Sequence, residues 1–211
     1  MKHRADSILK PAQAAYLERL TPARDALLAR MEEFAAEHGH PIADPEVAQL
    51  LRILVRTKRP KHVLEVGTNI GYSVIVMGRE FDGVLETIEI DPKILGMAKE
   101  FVADGAVRCE VRFHLGAALA VIPQLRGPFD FLFIDCVKTE YEAYLDALLP
   151  KLTPGAVIVC DNLLWKGKVA EGAHDDETDA LRKFDQRIAN DPRLTSVVLA
   201  LGDGTGVSIV G

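Results

Sequence analysis

The stretch Leu64-Glu65-Val66-Gly67-Thr68-Asn69-Ile70-Gly71-Tyr72-Ser73 decides the fold of this chain. The apolar run at 62–64 before it is typical of a short buried strand, and residues 74–77 after it are typical of a helix. Two glycines between a strand and a helix allow a tight turn and let a ligand approach main-chain N–H groups at the helix N-terminus. The stretch therefore predicts a nucleotide-type cofactor site. A tight turn without a ligand is the alternative, because the spacing Gly-x-x-x-Gly differs from the Gly-x-Gly-x-x-Gly of dinucleotide binders.

The composition indicates one globular domain. A chain of 211 residues, 48% hydrophobic and 27% charged, can bury a full core. The balance of 25 basic and 31 acidic residues gives a formal charge of −6, which disfavours a broad footprint for nucleic acid. No apolar run reaches membrane-spanning length, and no long apolar segment follows residues 1–6, so we expect neither a membrane segment nor a signal peptide. Cys109, Cys136 and Cys160 are widely spaced, which favours a reduced, cytoplasmic protein.

The first 60 or so residues are predicted to be helical, and the rest to alternate between strands and helices. We expect Pro22 in the first turn of a helix that stops near Gly39, and Asp44 as the N-cap of a second helix with Pro45 at its first position. From about residue 61 the alternation predicts βαβ units and a parallel sheet. The predicted strands are 62–67, 84–90, 108–115, 129–135 and 156–161, and the predicted helices are 71–80, 92–103, 117–125, 139–149 and 176–190.

The end of the chain departs from this alternation. The strand-like runs 195–201 and 205–210 are separated by Gly202-Asp203-Gly204, which indicates a hairpin whose last strand is antiparallel, at or beside the sheet edge. We therefore predict a single α/β domain over residues 1–211. It has a helical part at about 1–60 and a core at about 61–211 with a mostly parallel seven-stranded sheet and helices on both faces.

Polar side chains recur at the predicted strand ends, where open α/β sheets bind their ligands. Glu89 lies 22 residues beyond Gly67, which matches the acidic residue that binds ribose hydroxyls after the second strand. The alternative is a solvated charge or a cap for the helix that follows Pro92. The joint occurrence of the acid and the glycine turn favours ribose binding.

Asp135, Asp161 and Asn162 follow the fourth and fifth predicted strands. Carboxylate and amide oxygens are the ligands that Mg²⁺ prefers, whereas six scattered histidines and the lack of His-Glu-x-x-His argue against zinc. Lys138 follows Asp135 by three residues, a position where a lysine is usually a surface charge. Near a metal ion and a second positive charge it would give up its proton more readily and act as a general base.

Taken together, these segments resemble the metal-dependent class I O-methyltransferases, which include catechol and caffeoyl-CoA O-methyltransferases and their bacterial relatives. The resemblance covers roughly residues 30–211 and implies a Rossmann-like methyltransferase sheet with S-adenosylmethionine as cofactor. Its most specific element is Asp161-Asn162 with the upstream Asp-x-x-Lys of Asp135 and Lys138. The matching segments are 63–73, 87–92, 129–141, 154–167 and 201–204.

The resemblance also implies a role for each candidate residue. Asp135, Asp161 and Asn162 would bind Mg²⁺, Mn²⁺ or Ca²⁺; Lys138 would be the general base; and Trp165 would line the acceptor pocket. Gly67 and Ser73 would lie beside the methionine portion of the cofactor, and Ala117 and Ala118 beside the adenine. The full set of implied cofactor contacts is Glu65, Gly67, Gly71, Tyr72, Ser73, Glu89, Ala117, Ala118 and Asp135.

A metal beside the reacting oxygen predicts an acceptor with oxygens on adjacent carbons. We favour a small catechol-like molecule because of the negative net charge. The alternative is the 5-hydroxyuridine of a tRNA, which some bacterial relatives methylate, with the basic cluster Arg56, Lys58, Arg59 and Lys61 on phosphates. An NAD-dependent oxidoreductase is disfavoured by the missing third glycine, and a module without catalysis would leave Lys138 unexplained. The resemblance further suggests a homodimer.

Overall fold

A seven-stranded sheet organises the computed structural model, which describes residues 10–172 and 174–211. The strands are β1 (His62–Val66), β2 (Val84–Glu89), β3 (Glu110–Leu115), β4 (Phe129–Ile134), β5 (Leu152–Cys160), β6 (Leu194–Leu199) and β7 (Thr205–Val210). Their order across the sheet is β3-β2-β1-β4-β5-β7-β6. The pairs from β3 to β5 are parallel, and β7 is antiparallel to both β5 and β6. The predicted fold class and the antiparallel last strand beside the edge are therefore confirmed.

Helices cover both faces of this sheet. They are α1 (Pro11–Leu20), α2 (Ala26–His38), α3 (Pro45–Lys58), α4 (Tyr72–Gly78), α5 (Pro92–Asp104), α6 (Ala118–Val121), α7 (Tyr141–Leu148), α8 (Lys168–Glu171) and α9 (Asp176–Asn190). One buried cluster joins the sheet to α2, α3, α4 and α5, and a second joins it to α6, α7 and α9. Within the described ranges, no helix is long and apolar enough to cross a membrane. The signal-peptide expectation concerns residues 1–6, which lie outside the described residues.

The helices before the sheet begin and end for identifiable reasons, and one prediction about them is wrong. Pro22 lies in the connection before α2 rather than in its first turn, since Asp25 caps that helix by accepting the N–H groups of Leu27 and Leu28. Gly39 ends α2 in the left-handed conformation with φ 72°, as predicted. Asp44 does precede α3, but its side chain makes no cap hydrogen bond.

The predicted helix 117–125 is also shorter than expected. Only Ala118–Val121 is α-helical, and a 3₁₀ turn, Ile122–Gln124, follows it. Pro123 accounts for the change, because it lacks the N–H that would continue the helix.

The chain order reverses between β1 and β4. β1 is paired with β2 on one side and with β4 on the other. The chain therefore continues from β1 through β2 to β3 at one edge of the sheet, and then from β4 through β5 toward the other edge. In open α/β sheets such a switch point opens a crevice beyond the carboxyl ends of the strands. The loops after β1, β2, β4 and β5 meet at that edge.

Candidate functional site

A cavity of about 420 Å³ lies at the carboxyl ends of β1 and β4. Most of the residues predicted to form the site meet there. The predicted residues that line it are Gly67, Tyr72, Ser73, Glu89, Asp135, Lys138, Asn162 and Trp165, and those that do not are Glu65, Gly71, Ala117, Ala118 and Asp161.

The glycine turn brings two strand ends together. Gly67 has φ 106°, and a Cβ at this position would lie 2.0 Å from the carbonyl oxygen of Asp135. Only glycine allows this approach of the β1 and β4 ends. Gly71, with φ 85°, faces Ala98 and Val102 of α5 instead, so it serves helix packing rather than the cavity wall.

Glu89 holds the turn from the end of β2. Its Oε2 accepts the N–H of Asn69 at 2.9 Å, and its Oε1 accepts the N–H of Ile90 at 2.9 Å. Asp91 caps α5 by accepting the N–H groups of Lys93 and Ile94, so the capping role considered for Glu89 belongs to Asp91. The Glu89 carboxylate therefore stays at the cavity, where it lines the wall.

Glu65 lies behind the turn and is fully buried. Its two oxygens accept hydrogen bonds from Ser73 Oγ and Thr87 Oγ1, both at 2.5 Å. Burial is the main cause that raises the pKa of Glu65 to about 8. Glu65 does not line the cavity itself and is connected to it only through the hydroxyl groups that bond to its carboxyl.

Ala117 and Ala118 stand at the start of α6, beside the cavity. The N–H of Gly116 donates to the carbonyl of Glu89 at 2.8 Å, which fixes the start of α6 next to the end of β2. Ala118 is buried and Ala117 is exposed. This placement is compatible with a flat ring that lies against the α6 start.

Lys138 is buried, so it is not the surface charge that a lysine usually is. Its Nζ lies 2.8 Å from Asp135 Oδ1 and donates to the hydroxyl of Tyr141 at 2.8 Å. Tyr141 in turn donates to the carbonyl of Asp161 at 3.1 Å. The ammonium is thus held at the cavity wall by one carboxylate and one phenol, between the ends of β4 and β5.

Asp161 and Asn162 follow β5 directly. Asp161 Oδ1 accepts the N–H of Asn162 at 2.8 Å and the hydroxyl of Thr205 at 3.3 Å. Burial, reinforced by the charge of Asp135, raises the pKa of Asp161 to about 7. Asn162 has the left-handed φ of 62°, a strained conformation that turns the chain at the end of β5.

Trp165 closes the cavity on the side of Asn162. Its ring lies 5.8 Å from Lys138 Nζ, and its buried Nε1 has no hydrogen-bond partner among the described residues. An indole N–H without a partner costs free energy unless a ligand accepts it. Because that N–H is itself shielded from solvent, what Trp165 offers to the cavity wall is its aromatic ring.

Several parts of the wall were not predicted from the sequence, among them Asn69 and Val137. Residues 41–43 reach the cavity because Asn69 Nδ2 donates to the carbonyl of Pro41 at 2.5 Å. Thr68 lies inside the glycine stretch, and its hydroxyl beside the turn could have identified it from the sequence as a wall residue. Glu177 comes from the first turn of α9, which only the tertiary fold brings to the site.

Cys136 is half-buried and lies beyond the end of β4. It lines the cavity next to Asp135. Burial is the main cause that raises the pKa of its thiol, which disfavours the reactive thiolate. Cys109 and Cys160 are buried, and all three cysteines are free.

Comparisons with known proteins agree on one family. Residues 21–209 match the model of the O-methyltransferase family. The chain is 32% identical over 200 residues to the catechol O-methyltransferase of Niastella koreensis, with 88% of this chain and 90% of that protein covered.

Solved structures show the same likeness. The O-methyltransferase from Bacillus cereus in complex with S-adenosylhomocysteine superimposes with a TM-score of 0.83, at 29% identity, covering 95% of this chain and 97% of that one. TomG, an O-methyltransferase from Streptomyces achromogenes involved in tomaymycin synthesis and solved with S-adenosylmethionine, gives a TM-score of 0.84 at 28% identity, covering 93% and 94%.

Proposed function

This chain belongs to the family of S-adenosylmethionine-dependent O-methyltransferases, and we propose that its acceptor is a small aromatic molecule with hydroxyl groups on adjacent carbons. The observation that carries this proposal is the cavity wall formed by the Lys138–Asp135 ion pair, Asn162 and the ring of Trp165. A cation, oxygen donors and an aromatic face suit a flat ring that carries oxygens. The relative from Niastella koreensis is named for a catechol.

We infer that the cofactor binds along the glycine turn. Glu89 would accept the ribose hydroxyls, Gly67 and Ser73 would lie beside the methionine portion, and Ala117 and Ala118 would lie beside the adenine. The geometry supports this order, since Glu89 holds the turn and fixes the start of α6. The other residues proposed for this role, Glu65, Gly71, Tyr72 and Asp135, would shape the turn around the ligand.

Replacing Glu89 with alanine is expected to weaken S-adenosylmethionine binding by about 1.5–3 kcal/mol, because the change removes charge-assisted hydrogen bonds. Isothermal titration calorimetry measures the loss. Asp91→Ala is the matched control: Asp91 caps α5 and does not line the cavity, so its loss should lower the melting temperature and leave cofactor affinity within about threefold. Unchanged binding by the Glu89 variant would contradict the ribose role.

We further propose that Asp135, Asp161 and Asn162 hold a divalent cation. Asp135 lies close enough to Asp161 that its charge adds to burial, the main cause, in raising the pKa of Asp161. Two carboxylates and an amide form the hard-oxygen donor set that Mg²⁺ or Mn²⁺ accepts. Among the residues that the structure describes, no group of three or more His, Cys, Asp or Glu could hold a metal, so the amide of Asn162 is needed to complete the set.

The reaction transfers a methyl group in line from the sulfonium to an acceptor oxygen. A phenol with a pKa of about 10 is only about 0.1% ionised at pH 7, a deficit of roughly 4 kcal/mol. When bound, a divalent cation supplies Lewis acidity that offsets several kcal/mol and orients oxygens on adjacent carbons. In its neutral amine form, Lys138 would take the hydroxyl proton at Nζ and so become the ammonium that Asp135 and Tyr141 hold, and Trp165 would exclude water from one side of the ring.

A tRNA acceptor is the second candidate, but its proposed phosphate contacts lie far from the cavity. Arg56, Arg59 and Lys61 line a cleft of about 500 Å³ before β1, whereas Gly67 follows β1. A strand of five residues separates the two by roughly 17 Å. Lys58 donates to the carbonyl of Gly155 at 2.7 Å. This arrangement favours the small acceptor.

The dependence of methylation on salt concentration distinguishes the two candidate acceptors. Methylation of a catechol should vary by less than about twofold in kcat/KM between low and moderate salt, because no phosphate contact is broken. Methylation of a tRNA would fall steeply over that range. Arg59→Ala with Lys61→Ala should leave the catechol reaction unchanged. Methylation of 5-hydroxyuridine tRNA with no turnover of catechols, pyrogallols or caffeoyl esters would reverse the choice of acceptor.

We also propose a homodimer. Tyr16, Leu17 and Leu20 of α1 are about half exposed, and an apolar helix stripe normally packs against a partner. Light scattering at micromolar concentrations is expected to give twice the chain mass of 23.1 kDa. Leu17→Glu should shift the mass toward that of one chain, and a monomer in the unchanged protein would contradict the proposal.

A further inference from the structure

Glu65 is a buried acid without a positive partner among the described residues. Its only described hydrogen-bond partners are the hydroxyls of Ser73 and Thr87, which are neutral. The charged groups that act on it from the ends of β4 and β2 are Asp135 and Glu89, and both are acidic. A carboxylate placed in this way lacks the compensation that buried charges normally require.

The hydrogen bonds of Glu65 continue to the cavity. Thr87 Oγ1, which donates to Glu65, lies 2.6 Å from Thr68 Oγ1, and Thr68 lines the cavity. Thr87 is fully buried and Thr68 is 1% exposed, so water does not interrupt this path. The path connects the buried carboxyl to the space where the cofactor would bind.

The charge on Glu65 sets the direction of this path, because each hydroxyl donates only one hydrogen. With an ionised Glu65, Thr87 donates to the carboxylate and Thr68 donates to Thr87. Thr68 then presents oxygen lone pairs to the cavity, which suits a cationic donor. With a neutral Glu65 the carboxyl O–H can donate to Thr87, and Thr68 can then point its hydrogen into the cavity.

We propose that Glu65 is a positioning residue that releases its proton to solvent when S-adenosylmethionine enters the cavity, and that the Thr87–Thr68 hydroxyl pair transmits this change to the ligand. The inference rests on cofactor binding at the glycine turn. The carboxylate that forms balances the one net positive charge of the cofactor, whose sulfonium and ammonium are offset only in part by its own carboxylate. The demethylated product lacks the sulfonium charge. In a fraction of the molecules Glu65 therefore takes up a proton again, and the product binds less tightly.

The pKa of about 8 places this exchange in the physiological range. At pH 7 the free protein carries Glu65 mostly as the acid, so binding of S-adenosylmethionine should release up to about 0.9 proton. Affinity for the cofactor should accordingly rise with pH between about 6 and 8, by at most tenfold per pH unit. S-adenosylhomocysteine should release fewer protons and show a flatter dependence.

Titration calorimetry in phosphate, HEPES and Tris at pH 7 measures the released protons, since the three buffers differ in ionisation enthalpy. The titrations use the full chain in the presence of a chelator, without an acceptor. Glu65→Gln should release less than a quarter of the protons that the unchanged protein releases. Asp185→Asn is the matched control: burial raises the pKa of Asp185 to about 7, yet Asp185 does not line the cavity, so its variant should release as many protons as the unchanged protein.

Variants of Thr87 test the path without altering the acid. Thr87→Val removes the hydroxyl and should lower cofactor affinity about tenfold, and Thr87→Ser should restore it, since serine keeps the hydroxyl. Equal proton release by Glu65→Gln and the unchanged protein would overturn the inference, as would equal release for cofactor and product. Absence of cofactor binding in the unchanged protein would instead contradict the proposed cofactor site.

Discussion

Replacing Asp161 with asparagine is expected to lower kcat about a thousandfold while cofactor affinity stays within about threefold. The proposed cation contributes several kcal/mol at the acceptor oxygen, and asparagine removes one of its two carboxylates. The amide oxygen of the new side chain would still accept the hydrogen bonds from Asn162 and Thr205, so the loop after β5 should keep its shape. Steady-state kinetics with a catechol, with and without added Mg²⁺, measure the loss.

The same substitution should stabilise the metal-free protein at alkaline pH. The pKa of Asp161 is raised to about 7 from an ordinary value of 3.8, so its contribution to stability is present below pH 3.8 and is lost as the pH rises through 7. Asparagine does not ionise. The melting temperature of the variant should therefore exceed that of the unchanged protein by several degrees at pH 8 and by less at pH 5.

Asp185→Asn is the control for this pair of effects. Burial alone raises the pKa of Asp185 to about 7, so this variant should also gain stability as the pH rises. It should retain activity, because Asp185 does not line the cavity. Mg²⁺ should raise the melting temperature of the unchanged protein and of this control, but not of Asp161→Asn. Full turnover after exhaustive chelation would contradict the metal proposal.

The sheet could be predicted because its signals are local. Most of the parallel strands contain a short apolar run, and Gly202-Asp203-Gly204 indicates the hairpin that makes β7 antiparallel. The recurrence of polar residues after the strands also located the site at one edge. Boundaries were less accurate where proline or a nearby cap changed a helix end, as at Pro22 and Pro123.

The cavity wall was predictable only in part, since sequence spacing does not say which side chains face each other. Gly71 was expected at the ligand, yet its missing side chain makes room for α5. Glu65 was expected to touch the cofactor, yet it does not line the cavity, and hydroxyl groups lie between its carboxyl and the cavity. Residues 41–43 and Glu177 are distant in sequence from the glycine turn, and only the tertiary fold brings them to the cavity.

Lys138→Met is expected to lower kcat for an unactivated catechol by about 10²–10⁴-fold, the usual contribution of a general base. Methionine has nearly the length of lysine and suits the buried position beside Tyr141 and Trp165, but it takes no proton. Without a base, turnover depends on the fraction of acceptor that is already ionised. The rate of the variant should thus rise nearly tenfold per pH unit below the pKa of the acceptor.

Turnover of a nitro-substituted catechol distinguishes a role of Lys138 in removing the acceptor proton from a role in positioning the acceptor. Its reacting hydroxyl is far more acidic, so it needs little help from a base, and the loss caused by Lys138→Met should shrink to less than about tenfold. Lys166→Met, at an exposed lysine that does not line the cavity, should leave both reactions unchanged. An equal loss with both acceptors would mean that Lys138 positions the acceptor instead of taking its proton, because only the base role depends on how acidic the hydroxyl is.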